Sequence, residues 1–335
     1  MRIVLHIGTH KTGTTTIQKF VDRHRKKLAN RGFWYPNYRI ILRPGQYAHQ
    51  DLAHGFAGQS TKRIDYDLAR KFIKKICAQG ADYDTVFLSS EPFYRHTFPE
   101  TKEGSPDYWK NRRAYVERVG DAFGGADVSI VAVVRRQDHF AQSLYNENLK
   151  VTRYARALED FFEDKFPLFQ YGEQFKIWAD LFGAVNVMIF EDLVAAPRDL
   201  AKEFLQRVGC PVGKLEPIEA RNASMSCELL EYKRHLNQTK LTRPQLAKLT
   251  KRLQDPDFME SARLTRSKQT WASPETFSKF LTRFSEENEW VKNNCTELER
   301  ATLFPEGPGP HGEVFKGLSE VDSRNITAAL LDERL

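Results

Sequence analysis

The chain lacks a cysteine framework. Its four cysteines, Cys77, Cys210, Cys227 and Cys295, are scattered over 335 residues with no CxxC pair. That excludes a disulfide scaffold and a thiolate metal site, and predicts a reducing compartment. Long apolar runs are lacking too: the first stops after a few residues at His10 and Lys11. Neither a signal peptide nor a membrane span is expected, and the reading is a cytoplasmic protein. In that setting the Asn-x-Ser/Thr triplets at Asn222, Asn237, Asn294 and Asn325 are chance matches. No internal repeat, low-complexity tract or metal-ligand cluster stands out.

What is present is ordinary globular material with a basic excess. A 41% hydrophobic content over this length supports one large core, or one core with an appended subdomain. Lysine and arginine number 51 against 44 acidic residues, which leaves a net charge of +7. Such a balance suits a polyanionic ligand: a nucleotide, an acidic glycan or nucleic acid. Charge alone does not choose among them.

The stretch Arg2 to Gln18 narrows the choice. Ile3, Val4, Leu5 and Ile7 form a short apolar run suited to a buried parallel strand, and Gly8 and Gly13 bracket a loop that opens a helix. Glycine lets the backbone approach an anion closely, and the N–H groups of Thr14, Thr15 and Thr16 would point at it from a helix N-terminus. The spacing approaches GxxxxGK[ST]. A nucleoside triphosphatase, however, needs lysine directly after the second glycine, where this chain has Thr14, with Lys11 before it.

A strand followed by H-K-T-G-T-T resembles the 5′-phosphosulfate loop of the sulfotransferases that use 3′-phosphoadenosine 5′-phosphosulfate (PAPS). The resemblance implies that Lys11 contacts the oxygen bridging sulfate and phosphate, with Thr12, Gly13, Thr14, Thr15 and Thr16 around the 5′-phosphosulfate. Val128 to Val134 is the clearest strand in the chain and ends in Arg135-Arg136. Arg135 followed by Ser143-Leu144-Tyr145 resembles the family's 3′-phosphate site, with Gln137 where a proline usually stands. Arginine suits that role because its planar fork binds phosphate through two bonds. By itself, a strand-end arginine could equally pair with an acidic neighbour.

Thr85 to Leu88 reads as another buried strand and runs into Ser89-Ser90-Glu91-Pro92-Phe93-Tyr94. A carboxylate directly after a buried strand faces the ligand edge of an open α/β sheet. Glu91 is the leading general base, against the alternative of a helix-capping or salt-bridged glutamate. The glycan-modifying members of the resembled family carry a similar glutamate and turn. His49 and His54, in the weakly periodic segment from Tyr38 to Thr61, and Arg95 are further acceptor-site candidates; two surface histidines on a loop is the other reading. The order W-x-x-x-F, then V-x-V-M-I-F-E-D-L from Val185, extends the resemblance over roughly residues 1 to 225.

Strands alternating with helices predict an α/β fold, a P-loop-like doubly wound parallel sheet flanked by helices. The expected division is a core over residues 1–217 and a mostly helical extension over 218–335 packed on it. The resemblance implies PAPS as co-substrate, no metal, and sulfuryl transfer to a hydroxyl or amine. It looks like bacterial relatives that modify saccharides, with a lipid or small alcohol as second choice. Arg221, Asn222 or Ser224 could return to the cofactor. Two other classes stay open: a nucleotide-dependent P-loop kinase or triphosphatase, and a noncatalytic polyanion-binding module on the same fold.

Overall fold

The computed structural model describes residues 1–59, 64–218, 225–265, 268–310 and 312–332. In chain order the elements are β1 (Arg2–His6), α1 (Thr14–Ala29), β2 (Phe33–Trp34), α2 (Gln50–Phe56), α3 (Tyr66–Gln79), β3 (Thr85–Ser89), α4 (Pro92–Arg95), α5 (Tyr108–Phe123) and β4 (Val128–Val134). There follow α6 (Gln137–Val151), α7 (Leu158–Asp164), α8 (Tyr171–Phe182), β5 (Val185–Ile189), α9 (Phe190–Ala195) and α10 (Leu200–Arg207). The remainder comprises α11 (Cys227–Asn237), α12 (Arg243–Leu253), α13 (Phe258–Ser261), β6 (Gln269–Thr270), α14 (Pro274–Thr282), α15 (Ser285–Cys295), β7 (Glu313–Val314) and α16 (Glu320–Leu331).

Five parallel strands form the central sheet in the order β2-β3-β1-β4-β5. Their residues are buried almost throughout, as expected of strands covered on both faces. Alternation sorts the side chains by face. Val4, Phe87, Val131 and Val133 join Ile17, Phe20 and Val21 of α1 and Phe204 and Leu205 of α10 in one apolar cluster. On α1 the apolar residues recur at helical spacing, so a single stripe meets the sheet. A second, two-stranded parallel pair joins β6 to β7.

The chain falls into two compact units. The first takes Met1–Arg136, Phe166–Ala220 and Phe284–Glu306, and contains the whole central sheet; the second takes Gln137–Lys165, Arg221–Arg283 and Gly307–Leu335. Each unit collects three stretches of chain. In the second unit α6 is tied to α11. The Lys233 ammonium and the Asn237 amide both donate to the carbonyl of Leu149 at 3.1 Å, in the last turn of α6. Phe162 stacks on Phe280 with ring centroids 4.0 Å apart, and Trp271 Nε1 donates to Asn146 Oδ1 at 2.6 Å.

Phe33 and Trp34 pair with Thr85 and Val86 as an edge strand. The segment from Tyr38 is more regular than its composition suggests, with a 3-10 turn at Tyr38–Ile41 and then α2. The helices α14 and α15 follow each other closely, separated at Arg283 and Phe284. Helix α10 starts at Leu200, where Asp199 caps it by accepting the Lys202 N–H. Arg221, Asn222 and Ser224 lie outside the described residues. Among the described residues no helix is long and apolar enough to cross a membrane.

Candidate active site

The strand order puts β1 between β3 and β4. From β1 the chain leaves towards β2 on one side, and from β4 it leaves towards β5 on the other. Loops that diverge in this way open a crevice at the C-terminal ends of the two strands, the usual ligand position in open α/β sheets. The loop from Gly8 to Gly13 and the residue Arg135 are the two lips of that crevice.

The loop has a defined curl. Gly8 (φ 76°), Lys11 (φ 65°) and Gly13 (φ 73°) all adopt the left-handed region. For a lysine this costs roughly 1–2 kcal/mol, so the surrounding structure must hold it there. Thr9 supplies the hold: its N–H and its hydroxyl both donate to the carbonyl of Val133, at 2.9 and 3.0 Å. The Thr12 hydroxyl donates back to the Thr9 carbonyl at 2.7 Å. Its side chain is therefore spent on the loop, which leaves its backbone for a ligand. Gly13 is the N-cap of α1 and makes no side-chain cap, so the first N–H groups of the helix, at Thr14 and Thr15, face outward as anion donors. A Cβ on Gly13 would lie 2.1 Å from Cδ2 of Leu200. Only glycine fits.

Arg135 Nη1 donates to the carbonyl of Lys11 at 3.4 Å, and its guanidinium lies over the Phe190 ring at 5.2 Å. The two predicted anion ligands at the ends of β1 and β4 thus come together. Ser143, expected to act with Arg135, is half-buried on α6 of the second unit. The Arg136 N–H donates to Oε1 of Glu191 at 3.1 Å, while the other Glu191 oxygen is buried with no hydrogen-bond partner among the described residues. Burial holds the Glu191 carboxyl above the ordinary carboxylate range.

Glu91 follows β3, on the opposite side of β1 from β4, and is 5% exposed. Its backbone backs onto the loop: a Cβ on Gly8 would lie 2.9 Å from the Glu91 Cα. Burial raises its pKa; its own N–H, the amides of Gln18 and Gln50, and the charge of Arg95 pull the other way. Gln18 Nε2 reaches Glu91 Oε2 at 3.2 Å and also the carbonyl and hydroxyl of Ser89, at 3.3 and 3.2 Å. The Ser89 hydroxyl in turn contacts His6 Nδ1 at 2.9 Å. Glu91 is buried rather than a surface glutamate and, at the N-cap of α4, makes no side-chain cap. A buried, oriented carboxyl at the C-terminal end of a sheet strand, with burial raising its pKa, has the chemistry of a proton acceptor.

The two histidine candidates separate. His49 is 1% exposed: its Nδ1 accepts the Ser89 N–H at 3.1 Å and its Nε2 donates to the Pro36 carbonyl at 2.9 Å. Both ring nitrogens are used in holding the end of β3, which leaves neither for a substrate. His54 Nδ1 meets Gln59 Oε1 at 2.9 Å and His96 Nε2 at 2.8 Å. Arg95 is half-buried at the end of α4, near Glu91 and Glu103. Arg112, fully buried on α5, fixes this turn by donating to the carbonyls of Phe93 and His96 at 2.7 Å each. Sequence reading missed Gln18, Gln50 and Arg112. Gln18 leaves a trace, since it sits within the apolar run of Ile17, Phe20 and Val21 where a polar residue needs a reason.

No protein-family model matches the chain, and no curated protein does. Among solved structures, a sulfotransferase from Alicyclobacillus acidocaldarius is similar with a TM-score of 0.41 and 17% identity, over 67% of this chain and 86% of that one.

Proposed function

We propose that the protein transfers a sulfuryl group from PAPS to a hydroxyl, or an amine, of an acceptor, with a saccharide as the acceptor class. The observation that carries this reading is the pairing at the crevice: Lys11, before the second glycine, sits in a left-handed turn whose carbonyl is held by Arg135, while Glu91 backs onto the same loop at Gly8. On this reading the lysine supplies charge to the leaving phosphate oxygen, and the carboxyl serves the acceptor.

In this mechanism the acceptor oxygen bonds to sulfur as the bond from sulfur to the bridging oxygen breaks. Glu91 takes the acceptor proton. Lys11 and the N–H groups of Thr14 and Thr15 stabilise the charge that collects on the departing phosphate, and Arg135 holds the 3′-phosphate. A part for Ser143 at that phosphate is implied by the resemblance and is tested by its own alanine variant. The work is positioning and charge stabilisation, as in phosphoryl transfer, on a group that carries less negative charge.

The deciding experiment is calorimetric binding of 3′,5′-adenosine bisphosphate compared with ATP and magnesium. Magnesium-independent binding of the bisphosphate with no comparable affinity for ATP supports the reading. Preference for magnesium ATP replaces it with a kinase or triphosphatase, and no binding of either leaves a noncatalytic polyanion-binding module.

A further inference from the structure

Next to the cradle, buried nitrogens stand without partners. His10 Nε2, in the loop after β1, and Arg95 Nε, at the end of α4, are both buried with no hydrogen bond to any described residue. A buried donor left unmade costs roughly 1–3 kcal/mol, so two in one neighbourhood call for an explanation. The neighbourhood is shared. His10 lies within electrostatic reach of Arg95, Lys11 and His54, and His96 within that of His54, Arg95, Arg112 and His10. His54 and His96 touch, with ring centroids 4.5 Å apart. The acidic groups that face Arg95 are Glu103 and Glu91, with the Tyr108 phenol beside them.

The histidines do not make a metal centre: among the described residues no three His, Cys, Asp or Glu side chains group in a way that could hold an ion. His10 and His96 are held neutral instead. Burial, reinforced by the neighbouring cations, pushes His10 down to about 3 and His96 to about 2. The neutral His10 and His96 rings and the Arg95 guanidinium form a place that an oxyanion can complete, because it accepts from the unpartnered nitrogens and favours proton uptake by those two rings.

We infer that His10, Arg95 and the His54–His96 pair form a subsite for an oxyanion, a carboxylate or a sulfate ester, carried by the acceptor beside the group that Glu91 serves. The anion site stands on the side chains alone. Its assignment to the acceptor rests on the function proposed above.

The test uses the full chain with 15N-labelled histidines, saturated with 3′,5′-adenosine bisphosphate so that the cradle is already filled. Glucuronate, glucose 6-sulfate and neutral glucose are titrated while the ring resonances are followed. Either anionic sugar should move the His10 and His96 signals, glucose should not, and the exposed His235 should stay still. Which of the two acts identifies the carboxylate or the sulfate ester. Arg95→Gln should weaken the response roughly tenfold or more, as loss of a charged hydrogen bond does. Binding should tighten as pH falls, with heats that depend on the buffer's ionisation enthalpy. Signals that ignore both anionic sugars, follow glucose equally, or respond unchanged in Arg95→Gln overturn the subsite. Bisphosphate affinity in the same samples reports folding and separates the two readings: silent histidines with bisphosphate bound remove the subsite alone, and responsive histidines without bisphosphate binding remove the nucleotide assignment. His10→Gln gives the same comparison should Arg95→Gln not fold.

Discussion

Glu91 carries opposing demands at the scale of one residue. A carboxyl whose pKa is raised in the fold contributes stability at low pH and loses it as pH rises through the folded value. Glu91→Gln should therefore raise the melting temperature, and the gain should be larger at pH 8 than at pH 4, below the ordinary glutamate value, while sulfuryl transfer falls by about 10²–10⁴-fold, the usual worth of a general base. Unaltered turnover would remove Glu91 from the mechanism. The acid limb of the activity profile should lie above the ordinary carboxylate range. Gln18→Leu, which takes away a donor that favours the charged form, should move that limb to higher pH. Lys11→Ala should cut turnover by about 10²–10³-fold with little change in bisphosphate affinity, as loss of a group that meets developing charge does. Arg135→Ala should instead weaken the bisphosphate more than adenosine 5′-phosphate; equal weakening of both would dissociate Arg135 from the 3′-phosphate.

At the scale of elements, the joint between the loop and α1 is the most constrained. Gly13→Ala combines a left-handed backbone, which disfavours alanine by roughly 1 kcal/mol, with a collision against Leu200. Thermal melting should show a loss, and Leu200→Ala in the same chain should recover the steric part but not the backbone part. Full recovery would mean that the conformation of Gly13 does not matter. The local signals were legible: β4 and α8 fall where an apolar run and a helical apolar face put them, and the glycine-lysine-threonine loop announces itself within a dozen residues. The rest depended on distance in the fold. Two-residue β2 is too short to show a period, and Phe277, Phe280 and Phe284 keep helical spacing through the break between α14 and α15. No spacing in the chain could announce that Gln18 and Gln50 would meet Glu91, or that His49 would be consumed by β3 while His10 was left open. Those facts follow from topology.

For the whole molecule, buried neutral histidines set the acid limit. Burial pushes His6 and His49 down to about 3 from an ordinary 6.5. Their unfolded forms bind protons that the native state refuses, so stability is lost as pH falls below 6.5, by up to about 1.4 kcal/mol per pH unit for each ring. Urea unfolding at pH 7.5 and 5.5 measures this, and equal stability at the two values would show that the rings can charge in place. The hydrogen bonds from Thr9 to Val133 join residues 124 apart in sequence. In synthesis the loop precedes β4 by more than a hundred residues, so its hold on Val133 forms only once β4 has emerged. A nascent chain ending before β4 should bind no bisphosphate, so the nucleotide proposed above cannot serve as an early template for folding.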